Sequence, residues 1–465
     1  MTLVLGIDSS TQSTKALVTD ATTGAVLAEG RAAHPDGTEV DPAAWWQACQ
    51  HAIGAATAGL TEPVAAVAVA GQQHGLVALD ARHDVVRPAL LWNDTRSAEQ
   101  AVRLVGGDPS WWAERTGSVP VASFTVSKLA WLAEHEPANA DRVATVTLPH
   151  DWLTWQLSGQ GDRFTTDRGD ASGTGYFSPR TGAWLPDVLD TAFGGRAPGL
   201  PEVLGPAAPA GQTAGGAVLG PGTGDNMAAG LGLGLRPGDV VVSLGTSGTV
   251  FASVTEPAAD PSGAVAGFCD ATGGYLPLVC TLNAARVLSA TAALLGTDLA
   301  GLDSLAGQAK PGAGGLVMLP YLEGERTPNL PTATGTLTGL RGGNMTPENL
   351  ARAAVEGMLC GLADGLAALL ATGVAVQRVL LIGGASRSTA VQQVAAGLFG
   401  VPVEVPEPAE YVALGAARQA AWVLYGAAEP PAWHRPSRTL APTGDGGAVL
   451  EAYNAARDLV HGRSA

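Results

Sequence analysis

A chain of 465 residues with 46% hydrophobic and 15% charged positions is long enough for two or three buried cores and too apolar for disorder. Its formal net charge of −16 argues against a nucleic-acid partner, because phosphate-backbone binding draws on Lys and Arg. Cys49, Cys269, Cys280 and Cys360 lack any CxxC spacing and read as free buried thiols; with no basic-then-apolar leader at MTLVLGIDSS and apolar runs too broken for a membrane span, the expectation is a cytoplasmic protein with no membrane partner.

In chain order, LVLGI (3–7) and KALVTD (15–20) predict two strands around a turn, and VLAEGR (26–31) a third. PAAWWQACQHAIGAAT (42–57) has helical apolar spacing, and VAAVAVAG (64–71) reads as a buried strand. A second strand–turn–strand follows at DVVVSLGTSGTVFASV (239–254). Beyond it come a helix over 348–372, a strand in RVLLIGGASR (378–387), another helix, and a strand in GVPVEV (400–405). The Pro- and Gly-rich stretches 195–222 and 429–446 read as connections, and the Trp pairs 45–46 and 111–112 as core or packing residues. This β-then-α rhythm predicts an α/β protein. LVLGIDSSTQSTKALV and VVVSLGTSGTVFAS align with Thr11-Gln12-Ser13 on Thr246-Ser247-Gly248, which suggests two duplicated halves, 1–235 and 236–465.

Several chemistries are excluded by pattern. GxxxxGK[ST] and GxSxG are missing, GLGLG (230–234) fails the dinucleotide spacing, and no His falls at metal-ligand spacing. What remains is polar turns at strand ends. GIDSSTQSTK reads either as an ordinary turn or as an anion-binding concavity of hydroxyls and N–H groups, with Lys15 nearby and Asp8 placed to orient Mg²⁺ through its water shell. SLGTSGT offers Thr246 in the same style. LLIGGASRS (380–388) ends a strand in bare backbone against which a flat ring can lie. Gln73 and His74 follow a buried strand at the edge where open α/β sheets hold ligands, and Asn93, Asp94 and Arg96 follow soon after. In GTGDNMAAG (222–230), Asp225 reads either as a helix N-cap or as a carboxylate that accepts a proton.

Taken together, the first hairpin, GTGDNMAAG, LGTSG, PYLEGERTPNLP (320–331) and GGASRSTAVQQVAAGLFGVPVEV (383–405) resemble the FGGY family of carbohydrate kinases, in order from about residue 3 to residue 425. The resemblance implies the actin-like ATPase (ribonuclease H-like) fold, two duplicated domains with a nucleotide cleft between them, and ATP with Mg²⁺ as cofactors. Within the family, GQQHG with RPALLWNDTR is most similar to members that phosphorylate D-xylulose at C5. Carried over by position, Asp225 is the general base and Asp8 the metal-associated acid. Gln73, His74, Asp225 and Asn226 hold the sugar, Thr11 and Thr246 contact ATP phosphates, and Gly384, Ala385 and Ser388 line the adenine pocket. Some members carry Asn where this chain has Ser388. The helix after Asp225 is expected to keep its carboxylate ionised. The alternatives are another family kinase, acting on ribulose, glycerol, gluconate or a deoxy-ketose, and, more remotely, an actin-like or chaperone-like nucleotide switch. The resemblance also admits a homodimer.

Overall fold

The computed structural model of the chain describes residues 1–444 and 446–462. They divide into two compact units, Met1–Leu235 with Thr255–Leu276 and Ala409–His434, and Arg236–Val254 with Pro277–Pro408 and the chain from Arg435 onward.

In the first unit β1 (Leu3–Ser9), β2 (Ser13–Asp20) and β3 (Val26–Ala33) form an antiparallel meander. After helix α1 (Pro42–Thr57), β4 (Val64–Gly71) runs parallel to β1. Helices α2 (Thr125–His135), α3 (Pro149–Leu157) and α4 (Asp225–Leu233) follow, and the short strands Val218–Leu219 and Thr223–Gly224 pair parallel with β4. The central strands divide by face. Leu3, Leu5, Ile7, Val67 and Val69 pack with Trp45, Cys49 and Ala52 of α1, whereas Val4, Ala66 and Ala68 meet Ala417, Ala420 and Ala421. VAAVAVAG is thus apolar on both faces, as a strand buried between helices must be, with valine on one face and alanine on the other.

In the second unit β5 (Asp239–Leu244) and β6 (Gly248–Ala252) form an antiparallel hairpin that continues onto β7 (Tyr275–Thr281). Helices α5 (Ala285–Leu294), α6 (Leu299–Gln308) and α7 (Pro347–Ala371) lead to β8 (Arg378–Ile382), which is parallel to β5. Helix α8 (Thr389–Leu398) and the parallel strand β9 (Val403–Pro406) complete this stretch. The order β3-β2-β1-β4, with its pairing senses, recurs as β7-β6-β5-β8. Two polar hairpins therefore signalled a repeat of whole half-sheets.

Helix α9 (Tyr411–Tyr425) stands late in the sequence yet belongs to the first unit. It supplies the alanine surface that covers β1 and β4, so the expected single boundary at 235/236 gives way to interleaved segments. The approach is close enough to require glycine. A Cβ on Gly6 of β1 would lie 2.0 Å from the Ala413 carbonyl oxygen, and one on Gly415 of α9 would lie 1.8 Å from that of Ala228 in α4.

Other expectations also change. By length and composition α7 is apolar enough to cross a membrane, contrary to the reading of broken apolar runs, but most of it is buried inside the second unit as a core helix. The stretches 195–222 and 429–446 carry short strands, including β10 (Ser437–Leu440), which pairs with β9. Trp45 and Trp112 are core residues, whereas Trp111 is 38% exposed and lies under the Arg115 guanidinium. Cys49, Cys269 and Cys360 are buried free thiols, whereas Cys280 is only half-buried.

Alanine at Gly415 must push α9 off α4. Overpacking of this kind costs about 1–3 kcal/mol, so the Gly415→Ala protein is expected to unfold at lower urea concentration than wild type. An unchanged midpoint would show that the contact relaxes freely.

Candidate functional site

The polar turns leave the carboxyl ends of adjacent parallel strands in both units, the edge at which open α/β sheets hold ligands. Ser9, last in β1, is registered with Gly71, last in β4, so Ser10–Gln12 and Gln72–His74 emerge side by side. In the second unit Ser243 of β5 is registered with Ile382 of β8, which brings out Gly245–Ser247 beside Gly383–Arg387.

Within the first unit Asp225, Asn226 and Gln73 form one hydrogen-bonded group. The Asn226 backbone N–H and side-chain Nδ2 both donate to Asp225 Oδ1, at 2.8 and 2.9 Å. Nδ2 also lies 3.3 Å from Gln73 Oε1. Gln73 is buried, and its Nε2 has no protein partner among the described residues. Asp225 is not the cap: Gly224 holds that position and Asp225 is the first residue of α4. Nor does the helix end dominate its ionisation. Burial, with the charges of Asp8 and Asp170 adding to it against the hydrogen bonds from Asn226, pushes the Asp225 carboxyl up to about 7.

Asp8 is 2% exposed at the end of β1. Burial raises its pKa, opposed by Lys15 and by the Ser10 hydroxyl that donates to it. Lys15 Nζ stands 3.6 Å from Asp8 and 2.6 Å from Glu410. Among the described residues no group of three or more metal-ligating side chains is present. A single carboxylate fits Mg²⁺, which takes one or two carboxylates and fills its other positions with water and phosphate oxygens. Thr11 is half-buried and accepts a 2.7 Å hydrogen bond from Trp92 Nε1.

His74 has φ +65°, unusual for a side chain with a Cβ. Its carbonyl accepts from Lys128 Nζ at 2.8 Å and Thr125 Oγ1 at 3.2 Å. Its ring Nδ1 is 2.6 Å from the Gly173 carbonyl oxygen, and the ring packs against Phe124 and Phe268. Lys128 is fully buried, and burial pulls its pKa down to about 7 against the attraction of Asp94.

In the second unit Thr246 is exposed in the β5–β6 turn, where the Gly245 carbonyl accepts from Ala285 N–H at 2.8 Å, at the start of α5. Gly384 and Ala385 form the 3-10 turn after β8, and a Cβ on Gly384 would meet nothing within 4 Å. Gly383 carries the steric constraint, with φ +90° and a Cβ position 2.6 Å from the Leu244 carbonyl oxygen. The Ser388 hydroxyl caps α8, accepting from Val391 N–H and donating to Asp303.

Sequence reasoning missed the buried charges behind the Asp225 turn. His150 in α3 is fully buried, with Nδ1 2.7 Å from Asp170 Oδ2 and Nε2 3.2 Å from Asp151 Oδ1. Gln419 of α9 was also missed; it accepts from Gly222 N–H at 2.9 Å and donates to the Gly222 carbonyl at 3.0 Å. A lone charge or amide in a helix carries no periodic signal of such a partner.

Residues 3–229 match the N-terminal domain of the FGGY family of carbohydrate kinases, and residues 240–424 match its C-terminal domain. The chain belongs to this family, and its fold is the actin-like ATPase fold. It is 50% identical over 444 residues to a xylulose kinase of Streptomyces coelicolor, covering 91% of this chain and 88% of that one. It is 49% identical over 466 residues to a xylulose kinase of Streptomyces rubiginosus, covering 97% and 92%. The crystal structure of xylulose kinase from Bifidobacterium adolescentis is similar with a TM-score of 0.89 and 45% identity, over 98% of this chain and 99% of that one.

Burial disfavours the His150 cation, but Asp151, Asp170 and Asp167 outweigh it and hold its pKa at about 9 against an ordinary 6.5. A raised histidine pKa stabilises the fold fully below 6.5, and that stabilisation is lost as pH rises through 9. The stability advantage of wild type over His150→Gln, measured by urea unfolding, is therefore expected to shrink between these pH values. A constant difference would mean that His150 is already neutral in the fold.

Proposed function

We propose that the chain transfers the γ-phosphoryl group of ATP to the C5 hydroxyl of D-xylulose, giving D-xylulose 5-phosphate and ADP in the cytoplasm. The observation that carries the reaction is Asp225, a carboxylate of raised pKa at the first turn of α4, joined through Asn226 to Gln73. The identity of about one half to two xylulose kinases, over nearly the whole chain, supports the sugar.

Phosphoryl transfer asks little covalent chemistry of a protein; it needs positioning, charge neutralisation and an oriented nucleophile. Asp225 accepts the proton of the C5 hydroxyl as the oxygen–phosphorus bond forms and the bond to the ADP oxygen breaks. A base with pKa near 7 is matched to neutral pH. Gln73 and Asn226 hold sugar hydroxyls, the orphaned Gln73 Nε2 being a donor suited to one of them. The half-buried His74 ring packs against the sugar, its position set by Gly173, Phe124 and Lys128.

Mg²⁺, when bound, neutralises phosphate charge, and Asp8 is the residue that would hold it through water. Thr11 and Thr246 serve the phosphates, and the backbone of Gly384 and Ala385 the adenine. Ser388 contributes there mainly by capping α8.

General base help is typically worth ~10²- to 10⁴-fold. Asp225→Asn is therefore expected to lower kcat by at least ~10²-fold while D-xylulose still binds by calorimetry. Near-normal turnover would remove Asp225 as the base. Among D-xylulose, D-ribulose, glycerol and gluconate, D-xylulose should give the highest kcat/KM; another preferred polyol would overturn the substrate.

Because Asp225 must be ionised to act, kcat/KM should fall as pH drops below about 7. A limb near the ordinary carboxylate value of 3.8 would show that burial does not raise the base.

A further inference from the structure

Behind the site runs a largely buried segment, Asp167–Gly173, of which the proposed chemistry uses only the Gly173 carbonyl. Asp167 is 3% exposed and Asp170 fully buried. Asp167 Oδ2 accepts from Thr223 Oγ1 at 2.7 Å and from Gly169 N–H at 2.9 Å, while Oδ1 accepts from Asp170 N–H at 2.9 Å. Thr223 stands two residues before Asp225, in a short strand registered on Ala70 of β4. At its far end the same segment presents the Gly173 carbonyl to His74 Nδ1 at 2.6 Å. Between these ends Asp170 is tied to His150 at 2.7 Å, and its carbonyl accepts from Gly173 N–H at 2.9 Å.

The fit leaves no slack. A Cβ on Gly169 would lie 2.7 Å from both Asp167 Oδ2 and Thr223 Oγ1, and one on Gly173 would lie 2.9 Å from the His74 ring. Ser172 Oγ donates to the Gly169 carbonyl at 2.6 Å and accepts from Cys269 N–H at 2.9 Å, which braces the middle. Burying carboxylates is costly even after relaxation, and apolar packing would hold a purely structural segment without that cost. What the carboxylates add is direction: Asp167 fixes the Thr223 hydroxyl, and the backbone they order fixes the His74 ring.

We propose that Asp167–Gly173 is a single positioning element for the reaction, with Asp167 acting through Thr223 on the turn that carries Asp225 and Gly173 acting on His74. Base and sugar contact are thereby set by one rigid piece. The proposal rests on Asp225 being the base.

The test compares Thr223→Val, Thr223→Ser and Asp167→Asn with Asp225→Asn, reading kcat, the KM for D-xylulose and the unfolding midpoint of each. Misplacing a reacting group by an ångström can cost ~10²-fold, so Thr223→Val is expected to lower kcat by ~10²-fold with KM close to wild type. Thr223→Ser, which keeps the hydroxyl, should recover most of that loss. Asp167→Asn, which replaces the charged acceptor with a neutral one, should lower kcat in the same sense, and its combination with Thr223→Val should be no worse than the poorer single variant, since both weaken the same Thr223–Asp167 contact.

If Thr223→Val folds and keeps wild-type kcat, the proposal is overturned. If Thr223→Val does not fold, Asp167→Asn decides: a folded variant with unchanged kcat is equally fatal. Equal losses in Thr223→Ser and Thr223→Val, tracking the unfolding midpoint, would also overturn it by showing a merely structural role. Failure of the base assignment reads differently, because Asp225→Asn itself would then retain turnover.

Discussion

Helix α9 comes into backbone contact with both β1 and α4, and the geometry of the first unit follows from that approach. Gly6 and Gly415 leave no room for a Cβ, so the two elements that carry Asp8 and Asp225 are gauged against the same helix. The alanines of β4 and α9 set the spacing over the rest of the face. A residue with a longer side chain there would lift the helix and move the Gln419 amide away from Gly222, which it holds through both backbone groups. Small residues, usually read as filler, thus determine where the charges stand.

Those charges are arranged so that burial works on each of them differently. Burial raises both Asp8 and Asp225; the charge of Asp8 adds to the rise at Asp225, while Lys15 favours the Asp8 anion. Deeper in, His150 is kept as a cation by the aspartates around it. Lys128, with carbonyls as its hydrogen-bond partners and Asp94 as a weaker influence, is pulled toward neutrality. The unit therefore stacks a carboxylate of intermediate pKa on an ordered ionic layer rather than on apolar packing alone, which gives direction to backbone groups that apolar contacts would leave free to slide.

Much of this was legible in the sequence where the signal is local. The hairpins around Ser10–Gln12 and Gly245–Ser247 were readable because apolar runs end in polar, turn-forming residues, and their likeness pointed to the repeated half-sheet. Gln73, Asp225 and Asn226 could be grouped through the family resemblance, and they share hydrogen bonds in the fold. What escaped was every feature set by distant segments. Nothing near Tyr411 shows that its helix belongs with β1. Asp167, Asp170, His150 and Lys128 look like surface residues until the fold encloses them. The capping role of Asp225 failed for a subtler reason: an Asp before an alanine-rich run suits either Ncap or the first helical position, and Gly224, with its extended backbone, took the former. Trp111 was misread because a Trp pair on a short helix has one ring on each side.

The clamp on Gly222 joins residues 197 positions apart in sequence, and this orders events during synthesis. When β1 to β4 and α4 have left the ribosome, the alanine face of their sheet has no cover and the turn bearing Asp225 has only one of its two anchors. Most of the second unit, Arg236–Val254 and Pro277–Pro408, must emerge before α9 is made and can return to the first. The first unit begins the chain yet waits for α9 to be completed, so a chain cut short before residue 411 would carry all the residues of the Asp225 group without the helix that holds their turn in place.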